Sequence, residues 1–226
     1  MKKIFAIVCL CGLSMAAFAQ EEKPASDKMA SPELSALQTA AGLVKYGYEN
    51  YSATALIEAA KILSETQLQD MTAEGVPANP QDVQEKAVKF NLDPNVLIAD
   101  AIKYVGKDKV VLAYAKQVEK SIKTAKSSTR GVLGGPKCGN GRVYGKDYVN
   151  YQLKFWANEL AEVIVIGDGD NDLDLYVYDS NGNLIASDTD YSDQCVCRWV
   201  PAWTGAFTIR IINRGAVYSN YAIATN

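Results

Sequence analysis

Gly167 to Asp179 reads GDGDNDLDLYVYD and passes from an acidic loop into a β-strand without a break. The loop carries Asp168, Asp170 and Asp172. From Asp174 onward the residues alternate, with Leu173, Leu175 and Val177 on one face and Asp174, Tyr176 and Tyr178 on the other. Carboxylates continue at Asp179, Asp188, Asp190 and Asp193, and no Lys or Arg intervenes between Asp168 and Asp193. Such a cluster repels itself unless something positive sits in it.

Outward from this stretch the period stays at two. Val149, Tyr151, Leu153 and Phe155 alternate in one strand, and Ala161 to Ile166 form a more fully buried run. Asn181-Gly182 is a hairpin turn into Leu184 to Ala186. Val196 to Val200 follows, then Phe207, Ile209 and Ile211, then Tyr221 and Ile223. This density of short strands over residues 140–226 predicts an antiparallel β-sandwich of jelly-roll type. Upstream, residues 127–136 read SSTRGVLGGP, and periodicity is lost there. We place a linker at 127–139.

Residues 31–126 change to helical spacing. Ser31-Pro32-Glu33 combines an N-cap hydroxyl, Pro in the first turn and an acid facing the helix dipole. Ser52, Asn79-Pro80, Asp93-Pro94 and Asp108 are further helix starts. The apolar stripes are too narrow to bury themselves, so the helices must pack as antiparallel hairpins. The fold class expected is α+β with two domains, helical hairpins followed by the sandwich. The helical half loosely resembles tetratricopeptide-type hairpins, although no period of that repeat is present. Tyr46, Tyr48 and Tyr51 are read as core and rim aromatics in preference to a ligand groove.

The N-terminus implies export. Lys2 and Lys3, the apolar run from Ile4 and Ala17-Phe18-Ala19 match the three regions of a signal peptide over residues 1–19, with a polar, disordered leader at 20–30. The run is too short for a membrane anchor, and no later segment suits a bilayer. A periplasmic or secreted location is expected, where disulfides are possible. Cys138, Cys195 and Cys197 remain after cleavage. Cys195 and Cys197 share a strand face with Cα atoms about 6.7 Å apart, so a bridge from Cys138 to one of them is the expected pairing. The chain of 226 residues has a net charge of −3 and no histidine. Nucleic acid is not an expected partner, and every histidine-dependent mechanism is excluded.

The C-terminal residues resemble the bacterial pre-peptidase C-terminal domain family. The resemblance rests on Asp172, Asp174, Leu175 and Val177, then Gly182, then Gly205, Phe207 and Ile209 in that order. It implies a secreted β-sandwich, often appended to peptidases, some members of which bind calcium or extracellular polymers. No peptidase domain accompanies it, so protease activity does not carry over.

Calcium takes hard oxygens, and Asp168, Asp170, Asp172 and Asp174 are the candidate ligands. The loop is not an EF-hand, since Leu173 stands where glycine is needed and a strand follows where a helix should. Side by side with the metal reading stands a second one, in which these aspartates cap turns and keep a sheet edge soluble. The expected function is a non-catalytic binding, adhesion or accessory role in the cell envelope, toward a protein or polysaccharide ligand. The alternative is a hydrolase, or its accessory subunit, acting on an extracellular polymer through a carboxylate pair. Trp156 and Trp203 are candidates for stacking on sugar rings, whereas Trp199 reads as core.

Overall fold

A computed structural model describes residues 31–66, 69–71, 90–125 and 137–226. Four helices precede the sandwich: α1 (Pro32–Glu49), α2 (Ala53–Glu65), α3 (Pro94–Tyr104) and α4 (Lys109–Ala125). Their starts are capped as expected. The Ser31 and Ser52 hydroxyls accept from the Leu34 and Ala55 amides, and the Asp93 and Asp108 carboxylates accept from Asn95 and Val111. The helix start at Asn79-Pro80, the signal peptide and most of the linker lie outside the described residues. Tyr48 is buried and donates to Asp100, while Tyr46 and Tyr51 stand exposed at the rim.

The strands are β1 (Gln69–Asp70), β2 (Lys137–Val143), β3 (Tyr148–Phe155), β4 (Ala161–Gly167), β5 (Leu173–Tyr178), β6 (Leu184–Asp188), β7 (Gln194–Trp199), β8 (Gly205–Asn213) and β9 (Ser219–Thr225). One sheet has the order β1-β2-β9-β4-β7 and the other β3-β8-β5-β6. All pairings are antiparallel except β1 with β2, where two residues from the helical part lie parallel along the sheet edge. The α+β layout is therefore present, and β2 begins inside the stretch assigned to the linker.

Between the sheets lies a core built from alternate residues, among them Val163, Val165, Leu175, Val177, Phe207 and Ile209. Tyr151 and Tyr221 meet there, hydroxyl to hydroxyl at 2.8 Å, so each buried phenol satisfies the other. Gly141 allows this: a Cβ on it would lie 2.4 Å from the Tyr221 hydroxyl. Trp199 is core, edge-on to Phe155 at 4.8 Å.

The remaining faces of the two sheets differ. On β4 and β9 the opposite residues Ile164, Ile166, Ala222 and Ala224 are also buried, in one cluster with Leu34, Leu37, Leu56 and Leu97 of the helices. The helical part thus covers the outer face of the five-stranded sheet, which explains why every residue of β4 is buried. Glu162 fixes the junction. Its fully buried carboxylate accepts from Arg198 at 2.6 Å and from the Ser31 amide, at the start of α1, at 3.1 Å.

Sheet order also separates the cysteines. Cys195 and Cys197 point into the sandwich, whereas Cys138 packs against the helical cluster on the far side of the same sheet. Two strands lie between β2 and β7, a separation of roughly 14 Å at ordinary strand spacing. No disulfide joins the three, and the expected bridge from Cys138 is corrected accordingly.

Candidate functional site

The acidic stretch is dispersed by the fold. Asp168 is buried at the end of β4 and accepts from the Ser219 hydroxyl, the Asn220 amide and the Asn220 side chain. Asp174 is buried in β5, with Arg214 Nε at 2.6 Å and the Tyr176 hydroxyl at 3.1 Å on the same oxygen. Asp170 is exposed. Asp172 has one buried oxygen without a hydrogen-bond partner. Its carboxyl is held above the ordinary range, first by burial and then by the charges of Asp174 and Asp190, against the opposing pull of Arg214 and Lys146.

The positive charge that the cluster needs comes in part from the chain itself. Arg214 and Lys146 face Asp172 and Asp174, and Lys45 of α1 arches over the loop at Gly169, where a Cβ would sit 2.8 Å from its Nζ. Among the described residues no group of three His, Cys, Asp or Glu side chains is arranged to hold a metal ion. Asp168, Asp170, Asp172 and Asp174, the expected calcium ligands, form no such group among the described residues.

A different constellation stands on the open side of the molecule. Among the described residues no helix packs against the outer face of the sheet β3-β8-β5-β6, and strand register arranges its side chains in rows. Tyr148, Ile212 and Asp174 form one row, Asn150, Arg210 and Tyr176 the next, and Gln152, Thr208 and Tyr178 the third. Lys154 and Ala206 continue the pattern. Diagonal contacts tie the rows together: the Arg210 guanidinium lies 4.6 Å from the centre of the Tyr148 ring and 5.4 Å from that of Tyr178. The Tyr176 and Tyr178 rings are stacked at 6.2 Å. Arg214 bridges Asp174 and the Tyr176 hydroxyl.

Beside these rows an open depression of about 500 Å³ is lined by Gln152, Tyr178, Asp179, Ser180, Thr208 and Arg210, among others. Asp179 is already engaged there. Its carboxylate accepts from the Asn181 and Asn183 amides and the Asn183 side chain. Burial alone would raise its pKa, but these hydrogen bonds outweigh burial and leave it lowered. A second, smaller hollow of about 130 Å³ lies at the end of the sandwich, beside Trp156 and Lys154. Trp156 is 59% exposed there, and Trp203 stacks on Phe207 at 6.2 Å. Asp168, Asp170, Asp172 and Asp174 line neither cavity.

Sequence reading placed Tyr176 and Tyr178 on the outward face but did not find Arg210, Gln152 or Thr208 as their neighbours. The polar alternation of Thr208 and Arg210 through β8 was the available signal. Among the described residues no helix is long and apolar enough to cross a membrane.

No protein family and no curated protein matches the chain. Solved structures are similar to part of it. PliG of Aeromonas hydrophila, a periplasmic inhibitor of g-type lysozyme, is 17% identical over 43% of this chain and 91% of its own, with a TM-score of 0.33. The pre-peptidase C-terminal domain of a Bacillus anthracis collagenase is 11% identical over 42% of this chain and 91% of its own, with a TM-score of 0.34. A carbohydrate-binding module of type CBM36, solved with calcium and xylotriose, is 20% identical over 42% of this chain and 91% of its own, with a TM-score of 0.26. At these identities and scores the likenesses carry no argument about function.

Proposed function

We propose that this is an exported, non-catalytic binding or accessory protein of the cell envelope, and that its ligand docks on the outer face of the four-stranded sheet. The observation that supports this most is the contrast between the two sheets. The helices cover one outer face with an apolar cluster, whereas the other presents tyrosine rings, an arginine and uncharged polar side chains in register. Tyr and Arg give large contact area and directional hydrogen bonds at small conformational cost, which suits recognition. The hydrolase alternative draws less support. Asp172 is a carboxyl with a raised pKa, but Asp174 beside it is matched to Arg214, and neither residue lines either of the two hollows described above.

Cosedimentation of the mature protein with a washed cell-envelope fraction tests this reading. Tyr178→Ala should reduce the bound fraction severalfold, while Lys116→Ala, on the exposed side of α4, should not. Equal binding by both variants, or none by the unaltered protein, would refute it.

A further inference from the structure

Resting on that reading, we infer that the ligand is an acidic glycan, and that Arg210 is the seat of a sugar carboxylate. Arg198 and Arg214 are each matched to a carboxylate, Glu162 and Asp174. Arg210 has no such partner among the described residues. Its Nε donates to the Asn150 side chain at 3.0 Å, and its guanidinium plane rests against the Tyr148 and Tyr178 rings. A guanidinium held in this way keeps its outer N–H groups as a preorganised fork, which is the geometry a carboxylate accepts. Fixing it in advance lowers the entropy that binding must overcome.

Charge on the face agrees. Lys154 and Arg210 stand in its rows without a carboxylate matched to them among the described residues, on a chain whose net charge is −3. Asp174 and Asp179 are already engaged, the first by Arg214 and the second by its own turn. The surroundings favour a sugar over an acidic peptide. Hydroxyls and amides of Thr208, Ser180 and Gln152 border the depression beside the Tyr178 ring, offering partners for ring hydroxyls and for an apolar C–H face. An extended peptide would instead seek a strand edge, whereas Arg210 sits on β8, between β3 and β5 in the interior of the sheet.

Affinity electrophoresis of the full mature chain tests the inference, with three probes: polygalacturonate, its methyl ester and poly-L-glutamate. Polygalacturonate should retard the protein, and methyl esterification should weaken binding about tenfold or more, the worth of a charge-assisted hydrogen bond. Arg210→Ala should weaken polygalacturonate binding about equally without affecting the methyl ester, and Arg210→Lys should fall between. Melting temperatures of the variants separate this from misfolding. Preference for poly-L-glutamate, indifference to esterification or wild-type binding by Arg210→Ala would each overturn the acidic-glycan inference. The docking face itself would still stand if Tyr178→Ala releases the protein from envelope material, so the two readings fail separately.

Discussion

Ile164→Ala measures whether helices and sandwich unfold as one. Ile164 belongs to β4, yet its side chain is 1% exposed and packs in the helical cluster, while its neighbour Val163 faces the sandwich interior. Truncating a buried isoleucine to alanine costs about 2–5 kcal/mol through lost transfer energy and the cavity left behind. Taking about 3 kcal/mol, and about 2–4 °C per kcal/mol for a protein of this size, the melting temperature should fall by roughly 6–12 °C. Two probes divide the molecule. Far-ultraviolet ellipticity is dominated by the helices, and tryptophan emission arises only from Trp156, Trp199 and Trp203, all in the β part. With a shared cluster and the Glu162 junction, both signals should shift together and coincide, as they should for Val163→Ala. An Ile164→Ala transition that moves in ellipticity but not in tryptophan emission would show two independent units and refute the reasoning. A fragment covering residues 137–226 should then, on the cooperative expectation, self-associate on a sizing column, because Ile164, Ile166, Ala222 and Ala224 lose their cover.

Three further expectations follow from the acids and thiols. Asp172 has a raised folded pKa, so its favourable contribution is fully present below the unfolded value of 3.8 and is lost as the pH rises through the folded value. Asp172→Asn should raise the melting temperature at neutral pH and flatten its dependence on acidification, and a variant less stable than wild type at neutral pH would contradict this. Burial, with Asp188, pushes the Cys197 thiol up to about 12, and burial pushes Cys195 up as well. A maleimide should therefore label both only in denaturant, without prior reduction, and native labelling or a need for reductant would count against the structure. Because Lys45, Lys146 and Arg214 meet the acidic loop, a chelator should leave the melting temperature unchanged. A fall of several degrees, restored by calcium but not by magnesium, would instead show Asp168, Asp170, Asp172 and Asp174 holding the ion.

Local chemistry was the legible part of the sequence. Ser31, Ser52, Asp93 and Asp108 signal helix starts because the cap and the amide it accepts from are two or three residues apart. Strand alternation likewise identified Leu173, Leu175 and Val177 as core. What depended on sheet order stayed hidden. The continuous apolar run of β4 announces burial on both faces but not that helices supply the second cover. The side on which a cysteine points follows from local alternation, yet the strands separating β2 from β7 do not. The acidic stretch looked like one site because its members are adjacent in sequence. Their partners lie far along the chain, at Arg214, Ser219 and Asn220, and they draw the carboxylates apart. Arg210 entered the open face by the same kind of long-range register.

The position of β9 also sets an order of events in time. It lies between β2 and β4 and pairs with both, although it follows them in sequence by the whole of the intervening sandwich. A chain emerging N-terminus first, from a ribosome or a translocation pore, cannot join β2 to β4 before Ser219–Thr225 is delivered. Until then β4 can pair only with β7, β2 stands apart from both, and the helices lack the part of their platform that Ala222 and Ala224 supply. Contacts of such sequence separation make assembly slow relative to helix formation. Closure of the five-stranded sheet is thus a keystone insertion, and it comes after every strand of the four-stranded sheet, whose last member β8 ends at Asn213, has been delivered.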